Sequence, residues 1–179
     1  MGGVEMAFRE MRRKGQQLSP ERTREILRGG SCGVLALLGD GEYPYAVPIS
    51  YVYDEEKLYF HSAKNGHKID ALRHSAKASF CVIDKDEVVP EEYTTYFRSA
   101  IAFGKIRILE EEGERRRAIE KLAVKYAPQD TAEHRDQAIR REWEPLCMLE
   151  MTIEHLTGKE AIELVRERQK GGKKQMGPG

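Results

Sequence analysis

Two imidazoles, a hydroxyl and an ammonium group fall within the run His61-Ser62-Ala63-Lys64-Asn65-Gly66-His67-Lys68. These are anion-binding groups, and the residues around them put them at a strand-to-helix junction. Leu58 to Phe60 are strand formers, Lys64-Asn65-Gly66 is turn chemistry, and Ile69 and Leu72 begin a helical apolar spacing. A helix starting near Gly66 presents unpaired backbone N–H groups with partial positive charge. His61, Ser62, His67 and Lys68 can add their own donors at that point, which suits a phosphate. A solvated turn between a strand and a short helix would use the same residues, and this segment alone does not separate the two readings.

The preceding strand sharpens the choice. In Pro44-Tyr-Ala-Val-Pro-Ile-Ser-Tyr-Val-Tyr53, Pro48 stands inside a run of strand formers. Proline cannot donate to a ladder, so one side of this strand is an edge or faces something other than a strand.

Four segments in order, Tyr45-Ala-Val-Pro-Ile-Ser-Tyr, Leu58-Tyr-Phe-His-Ser-Ala, Gly66-His-Lys-Ile-Asp-Ala-Leu and Ser99-Ala-Ile-Ala-Phe-Gly-Lys, resemble the FMN-binding split-barrel family, the pyridoxamine-phosphate-oxidase-like superfamily. Within it the chain is most similar, from about Met11 to about Gly158, to the branch related to the nitroimidazole-resistance (Nim) proteins. The resemblance implies a mainly β fold with helices, an antiparallel six-stranded split β-barrel, and a homodimer with FMN at the subunit interface. It implies that Ser62 and Lys68 bind the FMN phosphate, with His61, Ala63 and His67 lining the phosphate or the ring edge. Main-chain groups of Pro48, Ile49, Ser50 and Tyr51 would contact the isoalloxazine, and Ser99, Ala100 and Ile101 would meet it from another strand. Trp143 is placed near the flavin or, equally, in the core or dimer contact. The implied activity is FMN-dependent reduction of small molecules, nitroaromatics among them, with NAD(P)H or another reductant as donor. A flavin- or haem-binding module without turnover and an F420-dependent reductase belong to the same superfamily and stay open. Pyridoxamine-phosphate oxidase proper ends in an Arg-Leu-x-Pro type segment, whereas this sequence ends in Gly-Gly-Lys-Lys-Gln-Met-Gly-Pro-Gly, so oxidation of the vitamin is not expected.

The elements that must position these groups follow from pattern. Ser19-Pro20-Glu21 opens a helix, with Ser19 as N-cap and Pro20 at the first helical position, and Gly29-Gly30 closes it. Cys32 to Leu38 reads as a nearly continuous apolar strand, followed by a Gly39-Asp-Gly41 turn and a strand over Tyr45 to Tyr53. Ala78 to Ile83 is a strand, Asp84 to Glu92 a polar loop, and Tyr93 to Leu109 a long strand with a bulge at Gly104. Helices are expected from about Glu110 to Pro128 and from about Thr131 to Glu142. A strand over Leu146 to His155 and a helix over Thr157 to Gln169 complete one domain, residues 1–169, with a disordered tail over 170–179.

Composition narrows the classes. The 179 residues carry 30 basic and 30 acidic side chains, so nothing in the balance recruits nucleic acid or an anionic membrane. No apolar run approaches the ~20 residues of a membrane span, and residues 1 to 8 do not form a signal peptide, so a cytoplasmic protein is expected. Cys32, Cys81 and Cys147 are far apart and set in apolar runs, reading as buried free thiols in a reducing compartment. The basic segment Arg9 to Lys14 reads as a solvated face, or as an arm for phosphates. His61, His67 and His74 lack the neighbours of a metal motif, and no metal is expected. Gly-x-Gly-x-x-Gly, P-loop and nucleophile-elbow patterns are missing, and the paired carboxylates fall in turns. No catalytic side chain is assigned.

Overall fold

The computed structural model describes residues 8–174. Helix α1, Pro20–Gly29, starts as its sequence dictates: the Arg22 N–H donates to the Ser19 side chain at 3.3 Å and Pro20 occupies the first turn. Its Thr23, Ile26 and Leu27 are buried. Then come β1 (Cys32–Leu38), β2 (Pro44–Ser50), β3 (Val52–Asp54), β4 (Lys57–Ala63), α2 (His67–His74), β5 (Lys77–Val89), β6 (Thr94–Ile108), α3 (Glu112–Tyr126), α4 (Ala132–Arg141), β7 (Leu146–Glu160) and α5 (Ile162–Lys174). The rest of the expected tail, residues 175–179, lies outside the described residues.

All seven strands form one sheet in the order β2-β1-β5-β6-β7-β4-β3, every neighbouring pair antiparallel. The six-stranded barrel expected from the resemblance is corrected to seven strands with an unclosed ladder. The reason lies at Tyr51. The expected single strand Tyr45 to Tyr53 breaks there: β2 pairs with β1, β3 pairs with β4, and β2 and β3 are the two edges of the sheet. One residue joins opposite edges, so the sheet must curl until they meet at Tyr51.

Two strands outrun their sequence signal. β5 continues through the expected loop Asp84 to Glu92 as far as Val89, pairing Lys85 to Val89 with Thr94 to Arg98 after a register shift at Asp84. Cross-strand pairing outweighs the low strand preference of the Asp and Glu residues, and Arg98 donates to Asp84 at 2.9 Å. β7 runs on to Glu160, past the expected helix start at Thr157, because Gly158 faces α1. A Cβ at Gly158 would lie 2.3 Å from Thr23 Oγ1. The bulge expected at Gly104 is present: the β6–β7 register shifts between Phe103 and Gly104, with Glu154 as the extra residue. A Cβ at Gly104 would stand 2.0 Å from the Thr152 carbonyl oxygen, so only glycine fits.

The inner face of the curled sheet holds the main core, with Leu27, Leu35, Tyr51, Leu58, Phe60, Ile69, Phe80, Val82 and Leu149. A second cluster, Tyr59, Leu109, Leu122, Leu146 and Met148, lies under α3. The opposite face of strands β2, β1, β5, β6 and β7 carries aligned rows that no helix among the described residues covers, with Phe8 stacked on His155 at 4.7 Å and 5.7 Å from Phe103. Register places Pro48, Val34, Cys81, Ile101 and Thr157 in one row, and Ala46, Ala36, Ser79, Phe103 and His155 in the next. Val34 (38%), Ile83 (63%), Ile101 (37%) and Phe103 (38%) stay exposed there.

Candidate functional site

The residues singled out at the β4–α2 junction form a corner where the chain leaves the sheet. Gly66 sits at φ 113°, a conformation that L side chains rarely adopt, and its carbonyl accepts from the Ile69 and Asp70 N–H groups at 2.9 and 3.1 Å. That glycine lets the chain turn directly from strand into helix. Helix α2 then anchors by buried Ile69, Ala71 and Leu72, which aims Lys68 back at β4. The Lys68 ammonium donates to Ser62 Oγ at 3.3 Å.

Electrostatics at the corner follow from partial burial. Desolvation pulls the Lys68 ammonium below its ordinary value, with the nearby Cys147 thiol acting in the opposite sense. His61 is also lowered: more than a third of it is exposed, yet desolvation, then the charge of Lys68, disfavours its imidazolium. Cys147 faces Ser62 across the β4–β7 ladder, and burial pushes its thiol upward against the pull of Arg115, Arg73, Lys64 and Lys68. The corner is cationic, half-buried and built on rigid elements, so a phosphate held there would trade water for charge-assisted donors.

The structure brings together Ser62, Lys68 and His61, with Ala63 one step further along β4. It holds His67 elsewhere: the His67 ring stacks on Tyr45 at 4.1 Å and its Nε2 lies 3.8 Å from Asp40 Oδ2. Trp143 sits beyond the strand end. Arg115 lies over its ring at 4.4 Å, and its carbonyl accepts from the Leu146 N–H at 3.3 Å, Leu146 being the ladder partner of Ala63.

The flavin-ring residues implied by resemblance divide. Pro48 and Ser50 lie on β2, whose far side has no ladder partner among the described residues. Ile49 between them is buried. Tyr51 is already engaged within the chain. Its N–H donates to Tyr126 Oη at 2.9 Å, its carbonyl accepts from Lys125 at 2.9 Å and from Tyr126 at 3.0 Å, and its own hydroxyl donates to the Leu27 carbonyl at 2.8 Å. The Tyr51 backbone, expected at the isoalloxazine, hydrogen-bonds to α3 in this chain. Ser99, Ala100 and Ile101 pair on both sides, with β5 and with β7, so only their side chains are free. Ala100 points inward, while Ser99 and Ile101 share the uncovered sheet face.

Sequence reasoning missed that face. The apolar run Cys32 to Leu38 forms the expected strand, and its burial alternates. Cys32 is exposed and Cys81 half-exposed, which corrects the expectation of three buried thiols; Cys147 alone is buried.

A curled antiparallel sheet with a hydroxyl–ammonium corner at a helix start is an arrangement that can accept an anion beside the sheet. Residues 19–160 match the family model described as pyridoxamine 5'-phosphate oxidase, and the chain belongs to that family. Among curated proteins, none matches it. Solved structures similar to it include a candidate 5-nitroimidazole antibiotic resistance protein from Bacteroides thetaiotaomicron, 22% identical over 80% of this chain and 86% of that one, with a TM-score of 0.68. An FAD-binding protein from Mesorhizobium loti is 24% identical, covering 82% and 97%, with a TM-score of 0.61. An FAD- and haem-binding protein from Mycobacterium smegmatis is 24% identical, covering 82% and 73%, with a TM-score of 0.67. At these identities the likeness is one of fold. No helix among the described residues is long and apolar enough to cross a membrane.

Proposed function

We propose that this protein binds a flavin, with the phosphate of its mononucleotide unit at Ser62 and Lys68, and that it works as a homodimer reducing small molecules. The observation that carries this reading is the Lys68 to Ser62 hydrogen bond at the head of α2. The residues fit the group: an ammonium has three donors and Ser62 occupies one, leaving two for a phosphate beside a serine hydroxyl. Family membership and flavin-binding proteins among the structural neighbours support the same reading.

A bound flavin supplies the hydride and electron exchange; the protein supplies binding, orientation and electrostatics. Ser62 and Lys68 fix the phosphate end. Pro48, Ser50, Ser99 and Ile101 lie on the uncovered sheet face, where a second copy of the chain would exclude water from the ring. An exposed apolar sheet face of this extent is a mark of an interaction surface. FMN is the form implied by the sequence resemblance, and nitroaromatics are the acceptor class we propose to try first, on the strength of the Bacteroides neighbour.

The test is a purified sample titrated with flavin, then with NAD(P)H and an acceptor. Bleaching of the flavin bands by reductant and their return with a nitroaromatic support a reductase. Bound flavin without turnover would reduce the protein to a carrier, and no flavin binding would remove the reading.

A further inference from the structure

A cavity of about 350 Å³ opens where β4 ends, lined by Lys64, Arg73, Ile108, Leu109, Glu110, Arg115, Leu146 and Cys147. It adjoins the Lys68 corner through shared walls. Cys147 pairs with Ser62 and Leu146 with Ala63, and Lys64 is the next residue of the chain. Three cationic side chains face one carboxylate, Glu110. Among the described residues Lys64 has no hydrogen-bond or ion-pair partner. Arg115 is fixed by donating to the Trp143 and Leu146 carbonyls at 3.2 and 2.8 Å, with no carboxylate. Arg73 pairs only with Asp70, at 3.2 Å on the open surface. All three, with Lys68, act on the Cys147 thiol, so their fields converge on one volume. Cations in excess of carboxylates around a concave site call for an anion, and one mononucleotide phosphate at Lys68 leaves this excess unserved. The cavity lies at the small end of ligand-pocket volumes, and Ile108, Leu109 and Leu146 give it apolar walls.

Resting on the flavin reading above, we propose that the cavity receives the second phosphate and the nucleoside of a flavin dinucleotide, so that the bound form is FAD in preference to FMN. Lys64 and Arg73 meet the second phosphate, and Arg115, held rigid by two carbonyls, faces it from α3. The apolar wall takes the base.

Fluorescence titration of the full chain with FMN and with FAD tests this. FAD is expected to bind on the order of tenfold tighter or more, the effect of one added charge-assisted contact. The double variant Lys64→Gln, Arg73→Gln should bring FAD down to the affinity of FMN while leaving FMN binding unchanged, which also reports that the variant is folded. Equal affinities for the two flavins would overturn the proposal and leave the flavin reading standing. So would a variant that weakens both alike, since the cavity would then hold the phosphate they share. Binding of neither flavin would overturn both.

Discussion

Lys68 and His61 show how one strand-to-helix corner shifts two titrations in the same direction. Partial burial disfavours positive charge on both, and the charge of Lys68 adds to the effect at His61; a phosphate dianion between them would reverse that bias. His61 is therefore expected to titrate below its ordinary value in the flavin-free protein and to rise on flavin binding. An NMR titration of its ring proton checks this, and an unchanged value would remove His61 from the phosphate's neighbourhood. Lys68→Ala should weaken flavin binding by ~1.5 to 3 kcal/mol, roughly ten- to a hundredfold; undiminished affinity would sink the corner assignment. Reduction of an artificial acceptor at saturating flavin should survive His61→Ala and His67→Ala within roughly tenfold, since hydride transfer needs geometry more than a dedicated acid. A hundredfold loss with flavin occupancy intact would make that histidine an acid. The corner was legible in the sequence because Ser62, Gly66 and Lys68 are local to one turn. The position of His67 was not, because its stacking on Tyr45 is set by how α2 lies against the β1–β2 hairpin, a long-range fact.

At the scale of elements, α3 fastens the joint where the sheet curls. Lys125 and Tyr126, the last residues of that helix, take up both backbone groups of Tyr51, and Lys125 also lies 4.0 Å from the Tyr51 ring centre. The single Tyr126 hydroxyl proton is shared between the Tyr51 and Ser31 carbonyls. Tyr126→Phe would leave the Tyr51 N–H without its partner and should cost about 1 to 3 kcal/mol of stability, read from denaturant unfolding; a change below a few tenths would show that water replaces the hydroxyl. A second fastening joins β4, β6 and β7 at Glu150, which accepts from Lys57 at 3.1 Å and from Arg107 at 2.9 Å. Burial pushes this carboxyl up, but the hydrogen bonds from Arg107 and Lys57 outweigh it and hold it below the ordinary carboxylate value. A native pKa below the unfolded one stabilises above the unfolded value, and that contribution is lost as pH falls through the native value. Glu150→Gln should therefore narrow the stability difference between about pH 7 and about pH 4, and an unaltered difference would contradict the pairing. Helix caps such as Ser19 and Thr131 were readable because capping is local. The true reach of β5 and β7 was not, since their last residues are strands only by virtue of the partners they meet.

Among the described residues no helix lies over one face of the sheet, where Phe8 stacks on His155, and that face carries four of the seven strand residues implicated in ring binding. Charge introduced into its central row should block assembly: Ile101→Lys and Val34→Lys are each expected to give a monomer with weakened flavin retention, measured by light scattering and by flavin content. A dimer that persists in both variants would place the interface elsewhere. Why the face escaped the sequence reading is a matter of burial. Val34, Cys81 and Ile101 look like core residues along the chain, and only the register that aligns them on one side, away from Leu35, Phe80 and Ala102, distinguishes inside from outside. Family membership was within reach because it rests on four short segments in order, each carrying its own turn or strand chemistry. The central claim, that this sheet and its β4–α2 corner exist to hold a flavin, meets its most direct test in the absorption spectrum of the purified protein together with the mass of any ligand released on denaturation. Flavin bands and about one released flavin per chain are the result expected, as purified or after incubation with FMN and FAD. A protein that stays colourless after both incubations, or that releases a ligand without an isoalloxazine, would contradict it.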